Sequence, residues 1–149
     1  MIKMEKKFIK TTSITDIIIS ISLIICGSAL AFIFYQKGID FVGYTLIILG
    51  IILVFTLKSS YKDLETGERY LKKEFSFQKK MKSSILSAIA SSPNSINTKE
   101  EGNGLRLIIY YSKSYEKAYI QLFEYVPFQF YPCSKMYEYD INNIKTLIK

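Results

Sequence analysis

Few side chains in this sequence have a type and a spacing that suit catalysis. The 149 residues include no histidine and two cysteines, Cys26 and Cys133, which are too few ligands for a usual zinc site. Glu124 is the one acid in the middle of an apolar stretch, whereas general acid–base catalysis needs a positioned pair of groups. The glycines on either side of Asn103 lack the spacing and the following lysine of a phosphate-binding loop. The sequence therefore predicts no catalytic, cofactor-binding or metal-binding residue and favours a protein that is not an enzyme.

Aromatic side chains are the recognition chemistry that the sequence does offer. Residues 105–139 contain eight tyrosines and three phenylalanines. A tyrosine gives a large contact area with a polar tip, which suits a binding surface, but it also packs well on a half-buried sheet. Both interpretations stay open. The predicted partner contacts are Tyr110, Tyr111, Tyr125 and Phe128, and the last two lie in an extended segment with a proline that could pair with a partner strand.

The elements that would position these side chains follow from periodicity. Alternation along 69–77, with a glycine-containing turn before it, predicts a hairpin, and the change to helical spacing predicts a helix over 78–91. After a loop at 92–104, segments rich in β-branched and aromatic residues predict strands at 105–112, 117–126, 128–131 and 134–139. Asp140 then caps a closing helix. Residues 58–149 are therefore predicted as a small cytosolic domain of antiparallel sheet with two helices, in the order hairpin, helix, meander, helix, which is an α+β fold.

Two long apolar runs precede this domain. They cover 14–35 and 41–57, with one formal charge, Asp16, near the start of the first run. About 20 apolar residues cross a bilayer as a helix, so the runs predict a two-helix transmembrane hairpin over 14–57. The small residues that share a helical face, and that would let the two helices pack closely, are Gly27, Ala31, Gly43 and Gly50. The same small residues could instead pack between two copies of the chain, so a homo-oligomer is also possible.

Charge predicts the orientation of the hairpin. Residues 1–13 carry four lysines against Glu5, the loop between the runs is neutral, and basic residues resume directly after residue 57. Short segments rich in Lys and Arg stay in the cytoplasm, so both termini are predicted there, with 1–13 as a basic cytosolic N-terminus. The abundance of Ile, Lys, Asn and Tyr is typical of an A·T-rich bacterial genome, which favours the bacterial inner (plasma) membrane.

Two alternatives to the transmembrane hairpin remain. The basic start, the first apolar run and the triplet Ala29–Ala31 could form a signal peptide with its cleavage site, although the run is longer than most signal cores. The two runs could instead form a buried helical hairpin in a soluble protein, although neither run shows the polar stripe that such helices usually carry.

The functional hypotheses follow from this arrangement. The leading one is a non-enzymatic membrane protein whose cytosolic domain binds a protein partner, for example as an immunity or accessory factor. The alternative is a membrane-anchored domain that senses anionic lipid, with headgroup contacts from Lys58, Lys62, Lys79, Lys80 and Lys82. A second alternative is an enzyme that acts at the membrane. The net charge is +7, but its excess lies beside the apolar runs, which argues against a nucleic acid as partner.

Overall fold

The computed structural model describes residues 6–35, 37–57, 59–99 and 101–149, and over these residues the chain is an α+β protein with an N-terminal apolar helix and a small antiparallel sheet domain. Its elements are, in chain order, β1 (Phe8–Thr12), α1 (Ile14–Ile33), α2 (Asp40–Thr56), β2 (Ser59–Asp63), β3 (Arg69–Gln78), α3 (Lys82–Ser91), β4 (Gly104–Ser112), β5 (Lys117–Val126), β6 (Gln129–Pro132), β7 (Tyr137–Asp140) and α4 (Lys145–Ile148). The described chain divides into two compact units. Residues 10–60 form the helix unit, and residues 6–9 with 61–149 form the sheet unit.

The helix unit contains two apolar helices of unequal length. α1 has 20 residues, extends over about 30 Å and is long and apolar enough to cross a membrane. α2 has 17 residues and is the shorter apolar helix. Both are close to the runs predicted from sequence, but α1 ends at Ile33 because Phe34 and Tyr35 already belong to the turn that follows.

Small residues form the contact between the two helices. Those buried at the contact include Gly27 and Ala31 on α1, and Gly43 and Gly50 on α2. A Cβ atom added to Gly27 would lie 2.7 Å from the carbonyl oxygen of Gly43, so the two backbones touch. Large apolar side chains point away from the contact, as Phe32 and Phe55 show with 84 % exposure each. The helix pair therefore has its small side chains inside and its large apolar side chains outside.

One strand, β1, precedes the helix pair and another, β2, follows it, and the two strands are neighbours. Within the helix unit, the Thr11 hydroxyl on β1 lies 3.0 Å from the Ser60 hydroxyl on β2. Within the sheet unit, the Leu64 amide donates to the Lys7 carbonyl at 3.0 Å, just beyond the ends of the same two strands. The sequence predicts no strand in residues 1–13, so β1 is an addition to the predicted fold.

The sheet runs in the order β1-β2-β3-β4-β5-β6, and β7 pairs with the half of β5 that β6 leaves open. The pairs from β2 onward are antiparallel. One face of the sheet holds buried side chains such as Leu107 and Leu122, which α3 and α4 cover through Ile85, Ile89 and Leu147. We call this the helix face and the opposite one the open face.

The two ends of the sheet are defined by their connections. At one end, which we call the tip end, β5 turns into β6 through Pro127 and Phe128. At the other, the turn end, residues 113–116 join β4 to β5. The two lie at opposite ends of β5, about nine residues or roughly 30 Å apart. β2 runs toward the turn end, because Tyr61 pairs with Tyr70 near the start of β3.

Elements at three places differ from the pattern that periodicity predicts. The predicted helix over 78–91 starts as a 3-10 turn and becomes α3 at Lys82. The predicted closing helix also starts as a 3-10 turn, although Asp140 does cap it by accepting a hydrogen bond from the Asn142 amide at 2.8 Å. The last strand begins at Tyr137 rather than at 134, because the Ser134 hydroxyl accepts from an amide of β5 and interrupts the backbone pairing.

Candidate interaction surface

Five aromatic rings pack together on the open face. The members of this aromatic cluster are Phe8, Tyr61, Tyr70, Tyr110 and Tyr119, and the exposed Tyr115 lies at its edge, with its ring centroid 6.2 Å from that of Tyr70. Phe8 stacks on Tyr110 with ring centroids 4.1 Å apart and meets Tyr70 edge-on at 5.3 Å. Tyr70 is 1 % exposed, and its hydroxyl donates to Glu68 at 2.7 Å, which satisfies its polar tip. The aromatic cluster is therefore a second small core and not a free binding surface.

A buried ion pair lies beside the aromatic cluster. Asp63 has no exposed side-chain surface and accepts hydrogen bonds from Lys6 at 2.7 Å, the Glu65 amide at 3.0 Å and the Thr66 hydroxyl at 3.1 Å. Burial alone would raise the pKa of the Asp63 carboxyl, but these hydrogen bonds outweigh burial and hold the pKa below its usual value. Lys6 also lies 4.7 Å from the centre of the Tyr119 ring. The ion pair therefore fastens the start of the described chain to the sheet.

The four predicted partner contacts lie in different environments. Tyr110 belongs to the aromatic cluster, where burial raises the pKa of its phenol. Tyr111 packs against the core of the helix face. Tyr125 and Phe128 lie at the tip end and are 45 % and 97 % exposed. The fold thus brings together the last two and leaves the first two with structural roles.

The hairpin tip, defined as Tyr125–Phe128, presents the most exposed of the large apolar side chains that the structure describes. Val126 pairs with Gln129, so Pro127 and Phe128 are the two central residues of the turn. Phe128 has a φ of +81°, at a turn position where Gly or Asn usually stands. The left-handed region costs an L-residue roughly 1–2 kcal/mol of conformational free energy. Phe128 is too exposed for packing within the sheet unit to offset this cost. A strained and exposed aromatic residue points to a contact outside the unit.

A groove of about 370 Å³ on the open face adjoins the hairpin tip. Its side chains include Ser76, Arg106, Tyr125 and Phe130, and residues 102–104 form part of its wall. The Arg106 guanidinium lies 4.0 Å from the centre of the Phe130 ring, and the Phe130 and Tyr125 rings are 5.3 Å apart. Glu74 lies 3.8 Å from Arg106 and also pairs with Lys72. This open-face groove presents a guanidinium among aromatic rings, which suits a carboxylate with an apolar neighbour.

Two of the predicted headgroup lysines converge on one acid beside the hairpin tip. Lys79 and Lys82 bind the Glu124 carboxylate at 3.0 and 2.5 Å. The hydrogen bond from Lys82, followed by that from Lys79, lowers the pKa of the Glu124 carboxyl. The isolated position of Glu124 in an apolar strand gave no sign of this pairing, because its partners lie more than 40 residues away in the chain.

The other predicted headgroup lysines are dispersed. Lys80 is exposed next to Lys79, at the tip end. Lys62 lies on β2 opposite Arg69, near the turn end. Lys58 lies outside the described residues. The fold therefore gathers three of the five predicted lysines at the hairpin tip.

Neither cysteine joins a chemical site in the structure. Cys26 and Cys133 are both free. Burial raises the pKa of the Cys133 thiol, which lowers the fraction of reactive thiolate. Among the residues placed by the structure, no group of three or more Cys, Asp or Glu side chains is arranged to hold a metal ion.

Comparisons with known proteins identify no relative of this chain. No family model matches the chain, nor does any curated protein or any solved structure. The features of this chain that bear on function are the helix pair, the hairpin tip and the open-face groove.

Proposed function

We propose that this chain is a non-enzymatic protein of the bacterial inner membrane, with two spans, both termini in the cytoplasm and a cytosolic sheet unit that binds a protein partner. The observation that carries the binding role is the open-face groove, where Arg106 is accessible between aromatic rings. An immunity or accessory factor for a membrane-active protein is one concrete form of this role.

The strands that flank the helices support two crossings of the bilayer. Thr11 lies beside Ser60, and Lys7 is bonded to Leu64, so the chain before α1 and the chain after α2 meet. If α1 alone crossed a bilayer, these segments would lie on opposite sides and could not pair. α2 extends over about 26 Å, and a span slightly shorter than the hydrocarbon core is accommodated by local thinning of the bilayer.

The surface of the helix pair supports lipid as its surroundings. Phe32, Phe55 and many isoleucines of α1 and α2 are exposed, while glycines and small residues are buried. Soluble monomers rarely expose a continuous apolar patch larger than a few hundred Å², because such a patch promotes aggregation. A core hairpin of a soluble protein would have the reverse pattern.

The distribution of lysines supports the cytoplasmic side for the sheet unit. Lys6, Lys7 and Lys10 precede α1, and five more basic residues follow α2 within residues 58–73, whereas the loop between the helices carries Lys37 against Asp40. Positive charge in short flanking segments holds them on the cytoplasmic side during insertion.

The chemistry of the open-face groove supports a protein partner that offers an acidic side chain next to an apolar one. Arg106 has 37 % of its side chain exposed, and its guanidinium can donate two parallel hydrogen bonds to a carboxylate. Tyr125 supplies a ring and a hydroxyl at the same place. Aromatic residues and arginine are the types that dominate the binding energy of protein interfaces.

Site-specific photo-crosslinking in cells tests this function on the full chain. A photoreactive amino acid replaces Tyr125 at the groove, and in a matched control it replaces Tyr115, which is also 45 % exposed but lies at the turn end. We expect one discrete crosslinked product from position 125 and none from 115. Arg106→Glu should reduce that product at least fivefold, whereas the charge reversal Lys113→Glu at the turn end should not. Equal background from both positions, or a product insensitive to Arg106→Glu, would contradict the proposal.

A further inference from the structure

We propose that the hairpin tip inserts Phe128 into the interfacial region of a bilayer that contains anionic lipid, with Lys79, Lys80 and Lys82 against the headgroups. This inference rests on the membrane location proposed above and is independent of the protein partner. It gives the sheet unit a second attachment to the bilayer besides its covalent link to α2.

The side chains of the tip have the chemistry of the membrane interface. Phe128 is 97 % exposed, and Val126 beside it is 43 % exposed. Exposed apolar side chains such as Phe, flanked by lysines, bury at the boundary between headgroups and acyl chains. The backbone also favours such a role, because Phe128 keeps a φ of +81° within the turn, where its amide donates to the Tyr125 hydroxyl at 3.4 Å while its ring stays exposed.

The charge around the tip is complementary to anionic headgroups. Three lysines, Lys79, Lys80 and Lys82, lie beside it on the helix face against one carboxylate, Glu124. Glu124 binds two of them, so two positive charges remain in excess within this group. Each lysine close to an anionic membrane surface contributes to binding, and exposed aromatic residues add the apolar part.

The length of the sheet separates the tip from the control position. The tip end and the turn end lie roughly 30 Å apart along β5. A tip that contacts the bilayer therefore leaves Tyr115, at the turn end, outside it.

Tryptophan fluorescence tests the inference directly, because the chain contains no tryptophan and each substitution adds a single fluorophore. Three full-length variants are reconstituted in nanodiscs that contain phosphatidylglycerol, with and without acyl-chain bromination. Phe128→Trp reports on the tip. Tyr115→Trp is the matched aromatic control at the turn end, and Phe55→Trp on α2 reports on the membrane location itself.

We expect brominated lipid to reduce the emission of the F128W and F55W proteins at least twofold and to leave Y115W unchanged. Quenching of F55W without quenching of F128W would overturn the inference and leave the membrane location intact. Absence of quenching in the F55W protein would contradict both the proposed membrane location and the inference about the tip. A blue-shifted but unquenched F128W emission would assign the tip to a protein contact, either a second copy or another chain, and would also overturn the inference.

A change of lipid tests the role of the lysines. When phosphatidylcholine replaces phosphatidylglycerol, quenching of the F128W protein should fall at least twofold, while quenching of F55W should not change. Lys80→Glu in the F128W protein should have the same effect in phosphatidylglycerol. Equal quenching in both lipids would overturn the electrostatic part of the inference.

Discussion

Tyr70 in the aromatic cluster is 1 % exposed and hydrogen-bonded, whereas Phe128 at the hairpin tip is 97 % exposed and has a φ of +81°. Both are aromatic residues of the same sheet unit. In the aromatic cluster, β1 and β2 bring Phe8 and Tyr61 over the open face and exclude water from the rings. Among the described residues, no comparable partner covers Phe128, whose side chain is almost wholly exposed. Aromatic content therefore indicates a recognition surface only where the fold leaves the rings uncovered.

The largest effect that this comparison predicts is the loss of a ring from the aromatic cluster. Tyr70→Ala should lower the free energy of unfolding by about 3 kcal/mol, because it leaves a cavity among Phe8 and Tyr119. Tyr125→Ala at the tip, the matched control, should lower it by less than about 1 kcal/mol. Thermal or urea unfolding of the full chain in detergent measures both. Similar losses for the two variants would mean that the tip is also a structural core.

An intermediate effect is expected at the ion pair beside the aromatic cluster. Asp63→Asn should destabilise the sheet unit by about 2 kcal/mol at pH 7, less than for a wholly buried pair because Lys6 keeps some exposure. The folded pKa of Asp63 lies below the unfolded value of about 3.9, so its stabilisation is present above that pH and is lost as the pH falls through the folded pKa. The difference between the two proteins should therefore be constant from pH 7 to 5 and shrink below about pH 4. A difference that does not depend on pH would contradict this account of Asp63.

The smallest effect, and one of opposite sign, is expected at the tip. Phe128→Gly should raise the stability of the sheet unit by up to about 1 kcal/mol, because glycine adopts a positive φ without steric conflict. Phe128→Ala keeps the unfavourable φ and should show no such gain. The same unfolding measurement separates the two variants. A clear loss of stability in the glycine variant would show that Phe128 packs within the protein and does not serve an external contact.

Most of the strands could be predicted from the sequence, because period-two alternation and turn residues are local signals. The strands at 105–112 and 117–126 agree with β4 and β5 within one residue. β1 could not be predicted, because Phe8–Thr12 is short, contains Lys10 and becomes a strand through its pairing with β2, some 50 residues later. This omission affects the aromatic residues directly. When β1 is not recognised, the sequence predicts that the side chains of Tyr70 and Tyr110 face outward.

The candidate surface was only partly accessible to sequence reasoning. Tyr125 and Phe128 are predicted as contacts because they lie in an extended segment edged by Pro127. The structure instead places Pro127 and Phe128 in a turn, with both aromatic side chains at the surface. Arg106 was not singled out, because its position over Phe130 depends on the register between β4, β5 and β6. The sequence does carry one sign of Arg106: it is the single arginine of β4, on the side of the strand opposite Leu105 and Leu107.

The proposal that two helices cross the membrane is tested most directly by the accessibility of single cysteines in intact cells. In a protein with Cys26→Ser and Cys133→Ser, a cysteine is introduced by Lys37→Cys in the loop between the helices or by Lys113→Cys at the turn end. A membrane-impermeant maleimide should label the K37C protein in cells with a permeabilised outer membrane and should label K113C only after lysis. Equal labelling of both before lysis, or protection of both, would contradict the two-span arrangement on which the cytoplasmic role depends.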